Sequence, residues 1–248
     1  MPQIFADITS KGITVYTPEK NGAWKTALTP LPSDFFRQQV AVDLPKFKSS
    51  SVVLVANLRK TAIRIVDIPI SKRKYDKWEL VSSTFPIGEQ MNENTHIFDG
   101  SEFITKGNEV SRFFMAAIPI EISEAITRIG ESLVGNLYRL ERIDTVENIL
   151  LKRYSPESHN GIVLILLPQD EGLRMLTLAN GLPESAYYIS NHVTHRKAEF
   201  LRGLHSIGKK PSIKVVFLYH TLEHIVKWGW IHDILENVQI EEKPFCLI

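Results

Sequence analysis

The 248-residue chain has one cysteine, Cys246, so no internal disulfide framework can hold it together and a packed apolar core must. Cys246 stands third from the end rather than fourth, which excludes a prenylation box. Charge of one sign is equally scarce. Lys and Arg total 29 against 28 Asp and Glu, a net charge of +1. That leaves no long-range field to draw the chain to nucleic acid or to a membrane surface. No apolar run approaches the roughly 18 residues that a spanning helix needs, and no signal-peptide pattern opens the chain. The expectation is a cytoplasmic protein without a membrane span of its own. Walker-type loops, G-x-G-x-x-G and G-x-S-x-G are also missing, which removes the local sequence support for P-loop, dinucleotide-binding and serine-hydrolase chemistry. Neither a low-complexity segment nor a repeat by residue identity is found.

What remains is ordinary for a soluble globular chain: 44% hydrophobic and 23% charged residues, enough apolar material for one large domain or two small ones. Short strands are expected at Ile4–Ala6, Ile13–Tyr16 and Ala23–Leu28, followed by a Pro-punctuated connection with a short helix over 34–40. Ser51–Ala56 and Gly161–Leu167 are nearly continuous apolar runs, as expected of strands buried on both faces. Ala62–Ile68 alternates up to Pro69. A strand pair is expected near 96–98 and 102–104, and a strand over Phe113–Pro119. From Glu121 to Leu140, apolar residues at Ile122, Ala125, Ile126, Ile129, Leu133 and Leu137 define one helical face. A second helix is expected over Thr145–Tyr154. Asn180-Gly181, between Leu173–Ala179 and Ala186–Ser190, signals a hairpin because both residues tolerate φ > 0. A helix over His192–His205, a strand over Ser212–Tyr219 and a terminal helix over Leu222–Leu235, interrupted at Gly229, complete the series. Strand blocks alternating with helices twice predict α/β layering with a mixed sheet in each half.

Candidate chemistry is sparse. His220, Glu223 and His224 match H-x-x-E-H, a zinc-peptidase pattern. A third ligand would have to come from Glu236, Glu241 or Glu242, and His220 falls at a strand end where it need not face His224. The pair His192 and His195 is joined by no cysteine or carboxylate cluster and reads as a loop or helix-start position. Cys246 has no identifiable base. The basic run over residues 71–77 reads as a solvated helix face, and Trp228-Gly229-Trp230 as packing with a partner-facing patch as the alternative.

One resemblance runs across most of the chain. Its carrying residues are Ile65-Val66-Asp67-Ile68-Pro69 ahead of a helix near Trp78, Ala116-Ala117-Ile118-Pro119 ahead of a long helix, and Ile143-Asp144 ahead of a helix ending Leu150-Leu151-Lys152-Arg153. The strand and hairpin of 161–190 and the order Phe200-Leu201-Arg202 to Leu218 follow. In these the chain resembles actin-like ATPase-fold assembly proteins, the family of type IV pilus PilM and the cytoplasmic domain of type II secretion GspL. The resemblance implies an actin-like, ribonuclease H-like duplicated fold: two lobes with mixed sheets flanked by helices. The expected division is an N-terminal lobe over 1–111 carrying a small inserted subdomain, and a C-terminal lobe over 112–248.

It also implies where Mg-ATP would sit, on two phosphate hairpins and a glycine pair near the adenosine. The matching positions are Asp7, Thr9, Ser10 and Lys11 for the first hairpin, with Thr9 where a glycine is expected. For the second they are Asn160 and Gly161 at the strand start, with Pro168-Gln169-Asp170-Glu171-Gly172 as the turn, whose two acids would repel phosphate. Tyr219-His220-Thr221 replaces the glycine pair. The expectation is therefore a non-catalytic scaffold of a pilus or secretion platform without a bound cofactor. It would associate with the inner membrane by binding the cytoplasmic tail of an inner-membrane partner, the motor ATPase, or both, and a homodimer stays open. An actin-like ATPase or phosphotransferase and, behind it, a zinc hydrolase are the alternatives. Whether the chain stands alone or continues into a membrane span is undecided at this level.

Overall fold

A computed structural model describes residues 3–19, 24–32, 35–36, 51–58, 61–69, 95–103, 110–134, 139–158, 161–169, 171–205 and 213–245. The chain opens with a meander, β1 (Gln3–Ile8), β2 (Gly12–Pro18) and β3 (Trp24–Pro30), followed by β4 (Ser51–Ala56). Strands β5 (Ala62–Pro69), β6 (His96–Phe103) and β7 (Val110–Pro119) come next. Helix α1 (Ile120–Val134) leads to β8 (Arg139–Thr145), and α2 (Val146–Tyr154) ends the first half. The second half holds β9 (Ile162–Gln169), β10 (Gly172–Ala179), β11 (Leu182–Ser190), α3 (Arg196–His205) and β12 (Ile213–Tyr219). It closes with α4 (Leu222–Trp228), α5 (Trp230–Ile234) and β13 (Ile240–Pro244).

The two halves repeat one topology. A five-stranded sheet runs in the order β3-β2-β1-β4-β8, and another runs β11-β10-β9-β12-β13. In each, the first three strands form an antiparallel meander, and the fourth and fifth add in parallel beyond the first. A three-stranded sheet, β5-β7-β6, is inserted between β4 and α1. This is the duplicated actin-like α/β architecture, with mixed sheets and flanking helices.

The apolar runs have their cause in this layering. Alternate residues of β1 and β4 (Ile4, Ala6, Ile8; Val52, Leu54, Ala56) pack under α1 through Ile122, Ala125, Ile126, Ile129 and Leu133. The intervening Val53 and Val55 point the other way, into a core shared with α2 and with Val163, Ile165 and Leu167 of β9. The other face of β9 (Ile162, Leu164, Leu166) packs with Phe200, Trp228 and Ile231 of the last helices. Each fully buried Val, Leu or Ile contributes about 1.5–3 kcal/mol by leaving water, so a central strand apolar at every position is stabilised from both sides. Among the described residues, no helix is long and apolar enough to cross a membrane.

Several expectations need correction. The long helix stops at Val134, and Leu140 belongs to β8, paired with Val52. The region 96–103 is one strand rather than a pair: Gly100 lies flat in the ladder, where a Cβ would come within 2.1 Å of the Phe114 carbonyl oxygen. Helix α3 starts at Arg196, after a turn that holds His192 and His195. Strand β13, with its acidic pair, was not expected. A division at 111/112 falls inside β7, and β8 completes the first sheet, so the strands of the first lobe extend to Thr145 and those of the second begin at Ile162. The Asn180-Gly181 turn stands as expected, with φ of 54° and 79°. The helix expected over 34–40, the basic run 71–77, the helix near Trp78, Asn160 and Cys246 fall wholly or mostly outside the described residues.

Candidate functional site

The β1–β2 hairpin and the β9–β10 hairpin meet between the lobes. Asp7, at the end of β1, is 2% exposed, and Asn57 just after β4 donates to its Oδ2 at 3.5 Å. Gln169, the last residue of β9, donates its side-chain amide to Asn57 Oδ1. Arg174 of β10 donates from Nε to Gln169 Oε1 at 3.0 Å, and a terminal guanidinium nitrogen donates to the Leu58 carbonyl at 2.7 Å. The guanidinium also forms an ion pair with Glu147, in the first turn of α2. On the rim, Ser10 Oγ donates to Glu171 Oε1 at 3.2 Å. The chain of contacts thus runs from the first sheet through the second and back to α2.

Burial sets the electrostatics. Desolvation pushes the Asp7 carboxyl up to about 7, against the weaker opposing pull of the Asn57 hydrogen bond and the Arg174 charge. Desolvation also lowers Arg174 to about 10, with the Tyr188 phenol, whose ring lies 5.7 Å from the guanidinium, opposing it. At both values the arginine is charged at neutral pH, whereas Asp7 is poised to hold its proton.

These residues do not fit a bound triphosphate. A phosphate hairpin needs backbone N–H groups aimed at the anion. Here Thr9 Oγ1 accepts from the N–H of Lys11 at 3.3 Å and of Gly12 at 3.1 Å, so the hairpin satisfies itself. The Glu171 carboxylate crosses to Ser10 where negative charge would have to be received, and the Lys11 side chain is exposed. Gly161 is not part of the cleft. It sits at the start of β9, the end opposite the hairpin, and donates to the Ser158 carbonyl. At the end of β12, where the resemblance expects a glycine pair, the ring of His220 lies against Phe245, with centroids 4.4 Å apart and the planes tilted by 53°.

A second concavity of about 200 Å³ lies between the inserted sheet and the start of α2. Its walls include Ile97 and Phe98 of β6, Ile118 of β7, Ser123 of α1, Asp144 at the end of β8, and Asn148. The local sequence explains the polar wall. Thr145 caps α2 by accepting from the Asn148 N–H at 3.2 Å, and Asp144 Oδ1 accepts from the Asn148 side-chain amide at 2.6 Å. Asn148 is 4% exposed, and its Oδ1 has no hydrogen-bond partner. Among the described residues, strand β6 is an edge of its sheet, with Ile97 47% exposed. An exposed edge beside an apolar cavity with an unsatisfied buried acceptor is chemistry for an extended peptide: ladder bonds along the strand, an apolar side chain in the cavity, and a donor for Asn148.

His220 and His224 face each other edge-on with ring centroids 6.0 Å apart, while Glu223 points to solvent. Among the described residues no three His, Cys, Asp or Glu side chains gather for a metal. The polar chain through Asn57, Gln169, Arg174 and Glu147 had no spacing signature. The one available signal was a charge set in an apolar run, as in Leu173-Arg174-Met175.

No protein-family model and no curated protein matches this sequence. Solved structures match over nearly all of its length. A Bacteroides thetaiotaomicron protein with an actin-like ATPase fold and unknown function aligns with 98% of this chain and 90% of its own, at 12% identity and a TM-score of 0.55. The structure of a PilM–PilN type IV pilus biogenesis complex aligns with 97% of this chain and 88% of its own, at 14% identity and a TM-score of 0.65. At such identities the likeness is one of fold.

Proposed function

We propose that this chain is a non-catalytic scaffold of a type IV pilus or type II secretion assembly platform. It holds an extended cytoplasmic segment of an inner-membrane partner, which keeps it at the inner membrane. The observation that carries the reading is the cavity beside edge strand β6, with Ile97 exposed and the buried Asn148 Oδ1 unsatisfied. The fold shared with a structure of a PilM–PilN complex supports the choice of platform. The self-satisfied hairpin at Thr9 and the Glu171 carboxylate at its rim support a scaffold over an ATPase.

The test is fluorescence anisotropy with a peptide copying the cytoplasmic tail of an inner-membrane assembly protein of such a platform. Binding is expected, and Ile97→Asp is expected to weaken it at least ~10-fold, or about 1.4 kcal/mol, by placing a charge at the mouth of the cavity. Asn148→Leu removes the waiting acceptor and weakens it as well. A peptide that does not bind, or that binds both variants as well as the parent, rules the groove out.

A further inference from the structure

We propose that a latch of this chain's own side chains joins the two lobes where the actin-like resemblance would place a bridging nucleotide. The latch is Asn57–Gln169 and Leu58–Arg174–Glu147, with Ser10–Glu171 at its rim. It goes beyond the partner reading above and does not depend on it.

The geometry is specific to a cross-lobe function. Ser10, Asn57 and Leu58 belong to the hairpin and strand ends of the first lobe, whereas Gln169, Glu171 and Arg174 belong to the β9–β10 hairpin of the second. Every polar link between those two groups spans the mouth of the cleft. Arg174 is the hub. Its planar guanidinium serves separate elements at once: it donates to the Gln169 amide oxygen and the Leu58 carbonyl and forms an ion pair with the Glu147 carboxylate. Lysine, a point charge, could not hold that set. At 4% and 0% exposure, Arg174 and Glu147 are desolvated, so each demands the other. A nucleotide bridging two lobes does the same work by offering one rigid polar body to both. Here that body is part of the polypeptide, and lobe closure becomes independent of ligand.

Double electron–electron resonance tests this on the full chain. Spin labels go on Leu28→Cys in β3 and Leu201→Cys in α3, both exposed, in a Cys246→Ser background. The parent is expected to give one narrow distance distribution that millimolar Mg-ATP leaves unchanged. Two latch variants, Asn57→Ala/Gln169→Ala and Arg174→Met/Glu147→Leu, are each expected to broaden and lengthen it. If the second pair does not fold, the first decides, because it leaves the buried charges paired. Latch variants that keep the parental distribution would overturn the proposal. So would a parent whose distribution shifts or narrows with Mg-ATP, since the nucleotide would then be the bridge.

Discussion

At the scale of single residues, Asp7 makes the sharpest prediction. Its carboxyl ordinarily titrates near 4, and burial raises it to about 7 in the fold. Between those values the folded state holds a proton that the unfolded chain releases. The group's contribution to stability is therefore complete below about pH 4, falls as pH rises, and is fully lost above about pH 7. At 1.36 kcal/mol per unit the difference is roughly 4 kcal/mol. Urea unfolding is expected to show the parent less stable at about pH 8 than at about pH 5, and Asp7→Asn to flatten that slope and stabilise the chain at the higher pH. A parent and variant with parallel pH profiles would place the Asp7 proton elsewhere. Asn can still accept from the Asn57 amide, so the substitution removes a charge without removing the contact.

Among elements, the inserted sheet packs on the second lobe through Phe114 and Ala116 of β7, and one arginine adds a polar link at the surface. Arg112 of β7 binds Asp67 of β5 with two bonds, 2.6 and 2.7 Å, and reaches Glu184 of β11 at 2.8 Å and the Pro183 carbonyl at 3.3 Å. The Arg112 hydrogen bond holds the Asp67 carboxyl below its ordinary range. That contribution is present above the unfolded pKa and is lost as pH falls through the lower folded one. Both carboxylates are well exposed, so Arg112→Ala is expected to cost only about 1 kcal/mol at pH near 7 and close to nothing near pH 2. Chemical denaturation at both pH values checks this, and an equal loss at both would point to packing by the arginine stem. Sequence reading was uneven at this scale for a physical reason. Strands buried on both faces, such as β4 and β9, are apolar at nearly every position and were legible, as was the Asn180-Gly181 turn. The strands that were missed, β8 and β13, hold the same place in the two sheets, the outer parallel edge. Edge strands carry charge to discourage further pairing, and Arg139-Leu140-Glu141-Arg142 and Glu241-Glu242-Lys243 do so at the expense of alternation. Leu137 and Leu140 also continue the 3–4 spacing of α1, so spacing alone extends the helix through them. The site was less legible still. Asp7 stood out by its hairpin, but its neighbours come from β4, β9, β10 and α2, which no sequence spacing relates.

For the whole molecule, what matters is that the lobes share a core. Tyr16, Val53 and Val55 of the first sheet, Val146, Leu150, Leu151 and Tyr154 of α2, and Val163, Ile165, Leu167, Leu176 and Leu178 of the second form one buried cluster. Opening the lobes completely would expose two inner sheet faces and one helix to water, a cost that grows by about 25 cal/mol for each Å² of apolar surface. The polar latch therefore controls the mouth of the cleft, while the apolar cluster binds its base. Unfolding is accordingly expected to be one transition. For 248 residues, a calorimetric enthalpy of roughly 170 kcal/mol is expected near 60 °C, matched by the van't Hoff value. Two independent lobes would give a van't Hoff enthalpy near half of that. Ile165→Ala, at the centre of the shared cluster with no exposure, is expected to cost about 2–5 kcal/mol and to lower the single transition without splitting it. A second peak in the variant would mean that the lobes hold their own stability and that the shared cluster is only a contact between them.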